Sequence, residues 1–348
     1  MAADTTGRWA VVLAGGVGSR FWPLSTPERP KQLLPLISPQ PMLRDTLDRL
    51  ATVAPAERTL ILTNASLVPA VRAVAPEVPS ENVIAEPRPA GTAAALTWAA
   101  HLVAQRSGGE APIVSVHADW AVHDVEGFRA ALIAASDAAV TEQALVTVGV
   151  VPTAPDTGLG YIEPGDAVRG PLRRVARFVE KPDRAQAEQL VAAGCFWNSG
   201  IFAWRACDLL NEVRTHCHEV APALAAYPTD AAAFFGAVES IAIDVGVLER
   251  SSRIMVLPGT FGWSDVGTWS ALQSVRPCDA HGNAPAGRVF FRDATANVVH
   301  AEGTTVVLYG VDGLVVVALD GMTLVTTTER ALDLKALLDT LPADVKRR

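Results

Sequence analysis

Residues 11–32 read VVLAGGVGSRFWPLSTPERPKQ, and the architecture of the chain follows from them. The apolar run from Trp9 to Ala14 reads as a buried strand. It opens into a loop holding Gly15, Gly16 and Gly18, then Ser19 and Arg20, and Lys31 follows a Pro-bracketed segment. Glycines let backbone N–H groups approach an anion closely, and fixed cations neutralise it. The loop therefore reads as a phosphate cradle, with Leu13, Ala14, Gly15, Gly16, Gly18 and Ser19 as candidate nucleotide contacts. Two better-known cradles are excluded. A P-loop needs Lys-Ser or Lys-Thr directly after the glycines, which is absent here. A dinucleotide fingerprint needs a third glycine where Phe21 stands, and that ring is too bulky for close helix–strand packing. The glycines alone describe an ordinary turn after a strand; Arg20 and Lys31 at this spacing make it a site.

Outward from this loop, strand-like and helix-like patterns alternate. Apolar, β-rich runs occupy 9–14, 59–63, 82–85 and 112–117, with helical patterns near 42–53, 66–75, 91–106 and 126–140. Such alternation predicts an α/β, Rossmann-like, mixed but mainly parallel sheet with helices on both faces. Ligands of such sheets lie beyond the carboxyl ends of the strands. That rule places the 15–20 loop, Glu86 and Asp119 on one rim. From about 144 to 204 the strand signals crowd together, which predicts antiparallel or mixed pairing, and 206–249 reads as helical.

The tail changes character. Short Val- and Thr-rich segments at 287–291, 295–301, 304–310, 313–319 and 322–328 are separated by Glu302-Gly303, Asp312-Gly313 and Asp320-Gly321. This predicts a small all-β module, either a hairpin meander or short β-helical rungs. A final helix is expected from Glu329 to Leu341, docking through Leu332, Leu334, Leu337 and Leu338. The turn-rich stretch 277–286 sets the boundary, giving a catalytic domain over 1–280 and a β module with terminal helix over 287–348.

The composition suits a compact globular protein, with 49% hydrophobic and 19% charged residues. A formal net charge of −8 argues against nucleic-acid binding, so an anionic ligand must be met by a local group of cations. No apolar run is long enough for a membrane span and no signal peptide is visible. The four cysteines, at 195, 207, 217 and 278, lack zinc or disulfide spacing. A cytoplasmic setting is therefore expected.

The longer pattern G-G-x-G-x-R-x-W-P, followed by Pro30-Lys31-Gln32, resembles the sugar-phosphate nucleotidyltransferases. Its Trp22-Pro23 and Pro-Lys-Gln details look most like those of the mannose-1-phosphate guanylyltransferases. Further segments carry the same resemblance over about residues 9–275. Glu86-Pro87-Arg88-Pro89-Ala90-Gly91-Thr92 matches the segment that lies against the base, which implies base contacts from Glu86, Pro87, Gly91 and Thr92. Thr92 is also expected to cap the Ala-rich helix that follows. Asp119 stands where the family keeps a metal-binding Asp, although His117-Ala118-Asp119-Trp120 replaces the usual Pro-Ala-Asp-His. The segment Phe261–Trp269 resembles W-x-D-V-G-x-W, whose Asp, here Asp265, completes the metal site. Thr157–Glu163 resembles T-G-Y-G-Y-I-E, with Leu159 in place of an aromatic residue. Phe178–Pro182 and Trp197–Phe202 match F-V-E-K-P and W-N-S-G-I-F.

The resemblance implies GMP transfer from GTP to mannose 1-phosphate, with Mg²⁺ on Asp119 and Asp265. Arg20, Lys31 and Lys181 are then the catalytic cations: Arg20 on the triphosphate, Lys31 near the α-phosphate, Lys181 on the sugar phosphate. Gly160, Glu163, Glu180 and Asn198 hold the sugar. Two alternatives stay open. One is the same chemistry on a heptose or glucose 1-phosphate; the other is a non-catalytic nucleotide-sensing subunit. A homo-oligomer, with a dimer favoured, is expected, and neither nucleic acid nor membrane is expected as a partner.

Overall fold

The computed structural model describes residues 7–16 and 19–346, with the backbone alone at Ser19. The chain forms two compact units. The first holds the residues up to Gly15, Leu47–Ala118 and Val122–Trp263; the second holds Gly16–Thr46, Asp119–Ala121 and Ser264 onward.

The predicted apolar runs become strands β1 (Trp9–Leu13), β2 (Thr59–Asn64), β3 (Val83–Glu86) and β4 (Pro112–His117). Between and after them lie helices α1 (Met42–Leu50), α2 (Val68–Val74), α3 (Gly91–Ser107) and α4 (Val125–Glu142). The strand β5 (Ala121–Val122) precedes β6 (Leu145–Val150), β7 (Tyr161–Arg169), β8 (Leu172–Val179), β9 (Phe196–Arg205) and β10 (Ile254–Gly259). The sheet of the first unit runs β3-β2-β1-β4-β9-β6-β10-β8-β7. Only β8 and β9 run against the other strands, so it is mixed and mainly parallel. All five residues of β1 are buried, so both of its faces are covered. Trp9, Val11 and Leu13 share a face and pack with the alanine-rich side of α3.

Helices α5 (Arg184–Ala192), α6 (Ala206–His216), α7 (Ala221–Ala226) and α8 (Ala231–Ala237) fill the second half of this unit. The expected helical stretch 206–249 is interrupted: one π-helical turn, Asp244–Leu248, stands apart from α8. A short strand, β11 (Trp263–Ser264), pairs with β5.

In the second unit a short helix α9 (Leu272–Val275) leads into strands β12 (Ala284–Arg292), β13 (Val298–Tyr309), β14 (Leu314–Leu319) and β15 (Met322–Thr327). The pairs β12–β13 and β13–β14 are parallel and only β14–β15 is antiparallel, so the tail is built of rungs closed by one hairpin. Buried asparagines tie the rungs at their corners. The Asn297 amide donates to Asn283 Oδ1 at 2.9 Å and to the Val311 carbonyl at 3.1 Å, and its own oxygen accepts from Leu314 N–H.

Two expectations for the tail are corrected. Glu302-Gly303 does not separate two strands, because β13 runs through it. It forms a bulge within that strand instead: the register passes from Ala286 opposite His300 to Arg288 opposite Thr305, so residues 301–304 of β13 face Gly287 alone, with Gly303 at φ +70. Gly287 accommodates the bulge with φ +88, since a Cβ there would lie 2.0 Å from the Ala301 carbonyl oxygen. The final helix is also broken. A 3₁₀ turn, Arg330–Asp333, precedes α10 (Leu334–Thr340), whose first turn is capped by Asp333 accepting from Ala336 N–H, and α11 (Ala343–Lys346) is the last element among the described residues. The break turns Leu332 into solvent, while Leu334 is buried and Leu337 and Leu338 pack on the core.

Candidate active site

In the second unit, a 3₁₀ turn over Lys31–Leu33 follows Pro30 and buries the lysine, leaving 5% of it exposed. Burying an ammonium demands partners. Lys31 Nζ donates to Asp119 Oδ2 at 3.0 Å and to the Asp265 carbonyl at 2.5 Å. Arg20, on a 3₁₀ turn over Ser19–Phe21, reaches the same place: a Cβ on Gly267 would lie 3.2 Å from Arg20 Nη1 and 3.0 Å from Asp265 Oδ2. The neighbouring Gln32 amide donates to the Gly16 carbonyl at 3.0 Å, which ties the Pro-Lys-Gln segment to the glycine loop. Residues separated by up to 245 positions are thereby brought together: Arg20, Lys31, Asp119 and Asp265. Gly18 lies outside the described residues, as does the side chain of Ser19.

In the first unit, β1 ends at Leu13 and the chain passes through Ala14 to an exposed Gly15. The Ala14 carbonyl is held by Thr63 Oγ1 at 3.0 Å. Glu86 ends β3 on the same edge, and its Oε1 would lie 3.5 Å from a Cβ on Gly15. Burial without a compensating cation pushes the Glu86 carboxyl up to about 7. Beyond the exposed Pro87, Arg88 grips the Gly236 and Val238 carbonyls at the end of α8.

Gly91 begins α3 with φ +79. Thr92 is not the helix cap. Its Oγ1 accepts from Ile243 N–H at 2.9 Å, and the Ile241 carbonyl accepts from Ala93 N–H at 3.2 Å, so a distant segment satisfies one orphan donor at the start of α3.

The sugar-side candidates form a second group in this unit. Asn198 on β9 donates its backbone N–H to the Gly160 carbonyl at 2.8 Å. A Cβ on Gly160 would lie 2.7 Å from Glu180 Oε2 and 3.6 Å from Asn198 Cβ, so Gly160, Glu180 and Asn198 are brought together. Lys181, with φ +42, pairs with Glu180 at 3.1 Å, and both are exposed. Glu163 is held elsewhere: it pairs at 2.6 Å with Arg177, directly opposite on β8.

One residue of this group escaped the sequence reading. Asp244, in the π-helical turn, accepts from the Asn198 amide at 2.7 Å. Burial raises its carboxyl above the usual range, and nearby Glu180 adds to that, while the Asn198 bond and His117 oppose it. The signal was a lone acid inside the apolar run IAIDVGVL.

Among the described residues, no group of three or more His, Cys, Asp or Glu is arranged to hold a metal ion. Lys31 meets the carboxylate of Asp119 and the backbone carbonyl of Asp265, whose own carboxylate lies beside Gly267 on the Arg20 side. That hard-oxygen pair suits Mg²⁺, which takes one or two carboxylates and completes its shell with phosphate and water.

The first unit is a mainly parallel sheet whose first strand ends at glycines, and the second gathers two cations and two aspartates; each is the build of an α/β enzyme acting on phosphate esters. The sequence profile described as Nucleotidyl transferase matches residues 9–281. Mannose-1-phosphate guanylyltransferase of Escherichia coli (strain K12) is 35% identical, over 97% of this chain and 74% of that protein. The alginate biosynthesis protein AlgA of Pseudomonas aeruginosa is 34% identical, over 96% of this chain and 72% of that one. A crystal structure from Thermus thermophilus, described as a mannose-1-phosphate geranyltransferase, superposes with a TM-score of 0.88 at 34% identity, covering 96% of this chain and 98% of that one. The chain belongs to the nucleotidyl transferase family and is a nucleotidyltransferase enzyme.

Proposed function

We propose that the enzyme transfers GMP from GTP to α-D-mannose 1-phosphate, giving GDP-mannose and pyrophosphate. The convergence of Arg20, Lys31, Asp119 and Asp265 carries this reading, and relatives named mannose-1-phosphate guanylyltransferase support the choice of substrates. A phosphate oxygen of the sugar phosphate attacks the α-phosphorus of GTP in line. The new P–O bond forms as the bond to the bridging oxygen breaks, and pyrophosphate leaves with that electron pair. The nucleophile is already an anion, so no general base is needed. The barrier is the meeting of two anions, and positioned cations lower it.

In this reading Arg20 neutralises the departing pyrophosphate, Lys31 the α-phosphate, and Lys181 the sugar phosphate. Leu13, Ala14, Gly15, Gly16, Gly18 and Ser19 cradle the nucleotide. Pro87, Gly91 and Thr92 shape the base site. Guanine presents N1–H and an exocyclic amino group side by side, and the ionised Glu86 accepts from both. Gly160, Glu163, Glu180 and Asn198 hold sugar hydroxyls. Asp119 and Asp265 would hold Mg²⁺, which when bound supplies charge neutralisation at the phosphates. All these residues precede 281, and we keep 1–280 and 287–348 as the proposed catalytic and supporting divisions.

No helix among the described residues is long and apolar enough to cross a membrane, and the four cysteines are free. These observations support a cytoplasmic enzyme. The open edge strands β12 and β15 support a homodimer, which sedimentation would test.

Pyrophosphate release decides the reading, assayed across GTP, ATP, UTP and dTTP against mannose, glucose and heptose 1-phosphates, with and without Mg²⁺. GTP with mannose 1-phosphate and Mg²⁺ is expected to be fastest. Faster turnover with another pair would replace the substrates, and no release with any pair would return the chain to the nucleotide-sensing alternative.

A further inference from the structure

We propose that Glu302, on strand β13 of the tail, is a positioning residue for Lys31 and acts through Arg29. This rests on the reading that Lys31 meets the nucleotide's phosphates. Arg29 closes a tight turn: its N–H donates to the Thr26 carbonyl at 3.1 Å, and Thr26 N–H returns a bond to the Arg29 carbonyl at 3.2 Å. The guanidinium then grips Glu302 with two parallel bonds, Nη1 to Oε2 at 3.0 Å and Nη2 to Oε1 at 3.1 Å. Only Pro30 separates Arg29 from Lys31, and its ring fixes φ, here −71. A shift of the Arg29 backbone therefore passes to Lys31 with little slack. Behind Lys31, Gln32 holds the Gly16 carbonyl, so Gly16 is tied to the same segment.

An isolated ion pair at a surface contributes little. This pair belongs to a chain of bonds anchored in the core. Glu302 Oε1 lies 3.2 Å from His300 Nε2, and His300 Nδ1 lies 3.1 Å from Arg276 Nη2. Arg276 is buried and donates its Nε–H to the Leu36 carbonyl at 2.5 Å. Burial and the Arg276 charge both lower the imidazole's pKa. The neutral ring accepts from Arg276 at Nδ1, which leaves Nε2–H to donate to Glu302. Each oxygen of Glu302 is thereby assigned, and the carboxylate has one orientation to offer Arg29. The structure thus gives the tail a part in aligning the lysine.

The test compares E302Q, R29Q, K31Q, R29Q/E302Q and E302Q/K31Q, with pyrophosphate release and thermal melting measured for each. E302Q is expected to lower kcat/KM for GTP about tenfold, the scale of a small misalignment of a catalytic group. The KM for the sugar phosphate and the melting temperature should stay near wild type. R29Q should match E302Q, and the R29Q/E302Q double variant should be no worse than either. In the K31Q background, E302Q should add nothing. Wild-type kinetics in E302Q alongside an impaired K31Q would overturn the positioning role and leave the Lys31 reading standing. So would a loss that tracks melting or adds fully to K31Q. Wild-type kinetics in K31Q would remove the Lys31 reading, and the positioning role with it. R29Q keeps the test open if E302Q fails to fold, because it leaves the sheet residue in place.

Discussion

A carboxyl group whose pKa is pushed to about 7 changes charge across the neutral range, and Glu86 is such a group. Accepting two N–H bonds from guanine requires the ionised form, while burial favours the neutral one. The affinity for GTP should therefore weaken as pH falls. Below about 7 the KM for GTP should rise, approaching tenfold per unit, and E86Q should flatten that profile and erode the preference for GTP over ATP. An unchanged GTP:ATP ratio in E86Q would show that backbone groups read the base. Asp244 acts on the other substrate in this reading. The Asn198 amide donates to it at 2.7 Å, so D244A frees that side chain to turn. The expected result is a rise of about tenfold in the KM for mannose 1-phosphate, with the KM for GTP unchanged, from steady-state kinetics. Glu86 was legible in the sequence because it ends an apolar strand and begins a Pro-rich turn. Asp244 was not, because its meaning comes from a partner 46 positions away.

Among the elements, the start of α3 shows where local signals stop. Strands β1 to β4 were legible because buried parallel strands are uninterrupted apolar runs bounded by turn residues. The cap of α3 was not legible. Thr92 looks like a capping residue, yet its hydroxyl oxygen accepts from Ile243 N–H, and one orphan donor of the helix, Ala93 N–H, is met by the distant Ile241 carbonyl. The tail differs for a related reason: Glu302-Gly303 keeps its turn chemistry, with Gly303 at φ +70, but it makes a bulge inside β13, because ladder pairing to β12 resumes at Thr305. Gly91 allows a direct measurement of the long-range contact. Its φ is +79, and a Cβ would lie 2.2 Å from the Ile241 carbonyl oxygen. Gly108, at the other end of α3, has φ +86 and nothing within 4 Å of a Cβ. G108A should therefore cost only the backbone strain, about 1–2 kcal/mol. G91A adds displacement of the 241–243 segment and should cost at least about 2 kcal/mol more. Denaturant unfolding of the two variants gives the difference; equal losses would mean that Ile241 yields freely.

At the scale of the whole molecule, the tail shares its core with the segment that carries Arg20 and Lys31, the proposed catalytic cations. Phe21, Trp22, Leu24, Leu34, Leu36, Met42 and Trp269 pack in one apolar cluster with Val298, Val315, Val317, Leu324 and Leu334. Trp269 lies edge-on to Phe21 at 5.2 Å and donates its indole N–H to the Trp22 carbonyl at 3.0 Å, so even the Trp-Pro motif is fixed by this cluster. Sequence order hides the arrangement: residues 21–42 and 298–334 look like parts of different modules until the fold joins them. Burial of one large apolar side chain contributes roughly 1.5–3 kcal/mol. Losing the five tail side chains named above removes on the order of 10 kcal/mol, comparable to the net stability of a typical domain. A chain ending at Asn283 should therefore fail to hold residues 20–46 in place. Limited proteolysis followed by mass spectrometry should find new cleavage within that segment, and pyrophosphate release should be lost with it, because Arg20 and Lys31 lie there. A truncated chain that resists cleavage at 20–46 and keeps wild-type turnover would show that the tail covers this core without supporting it.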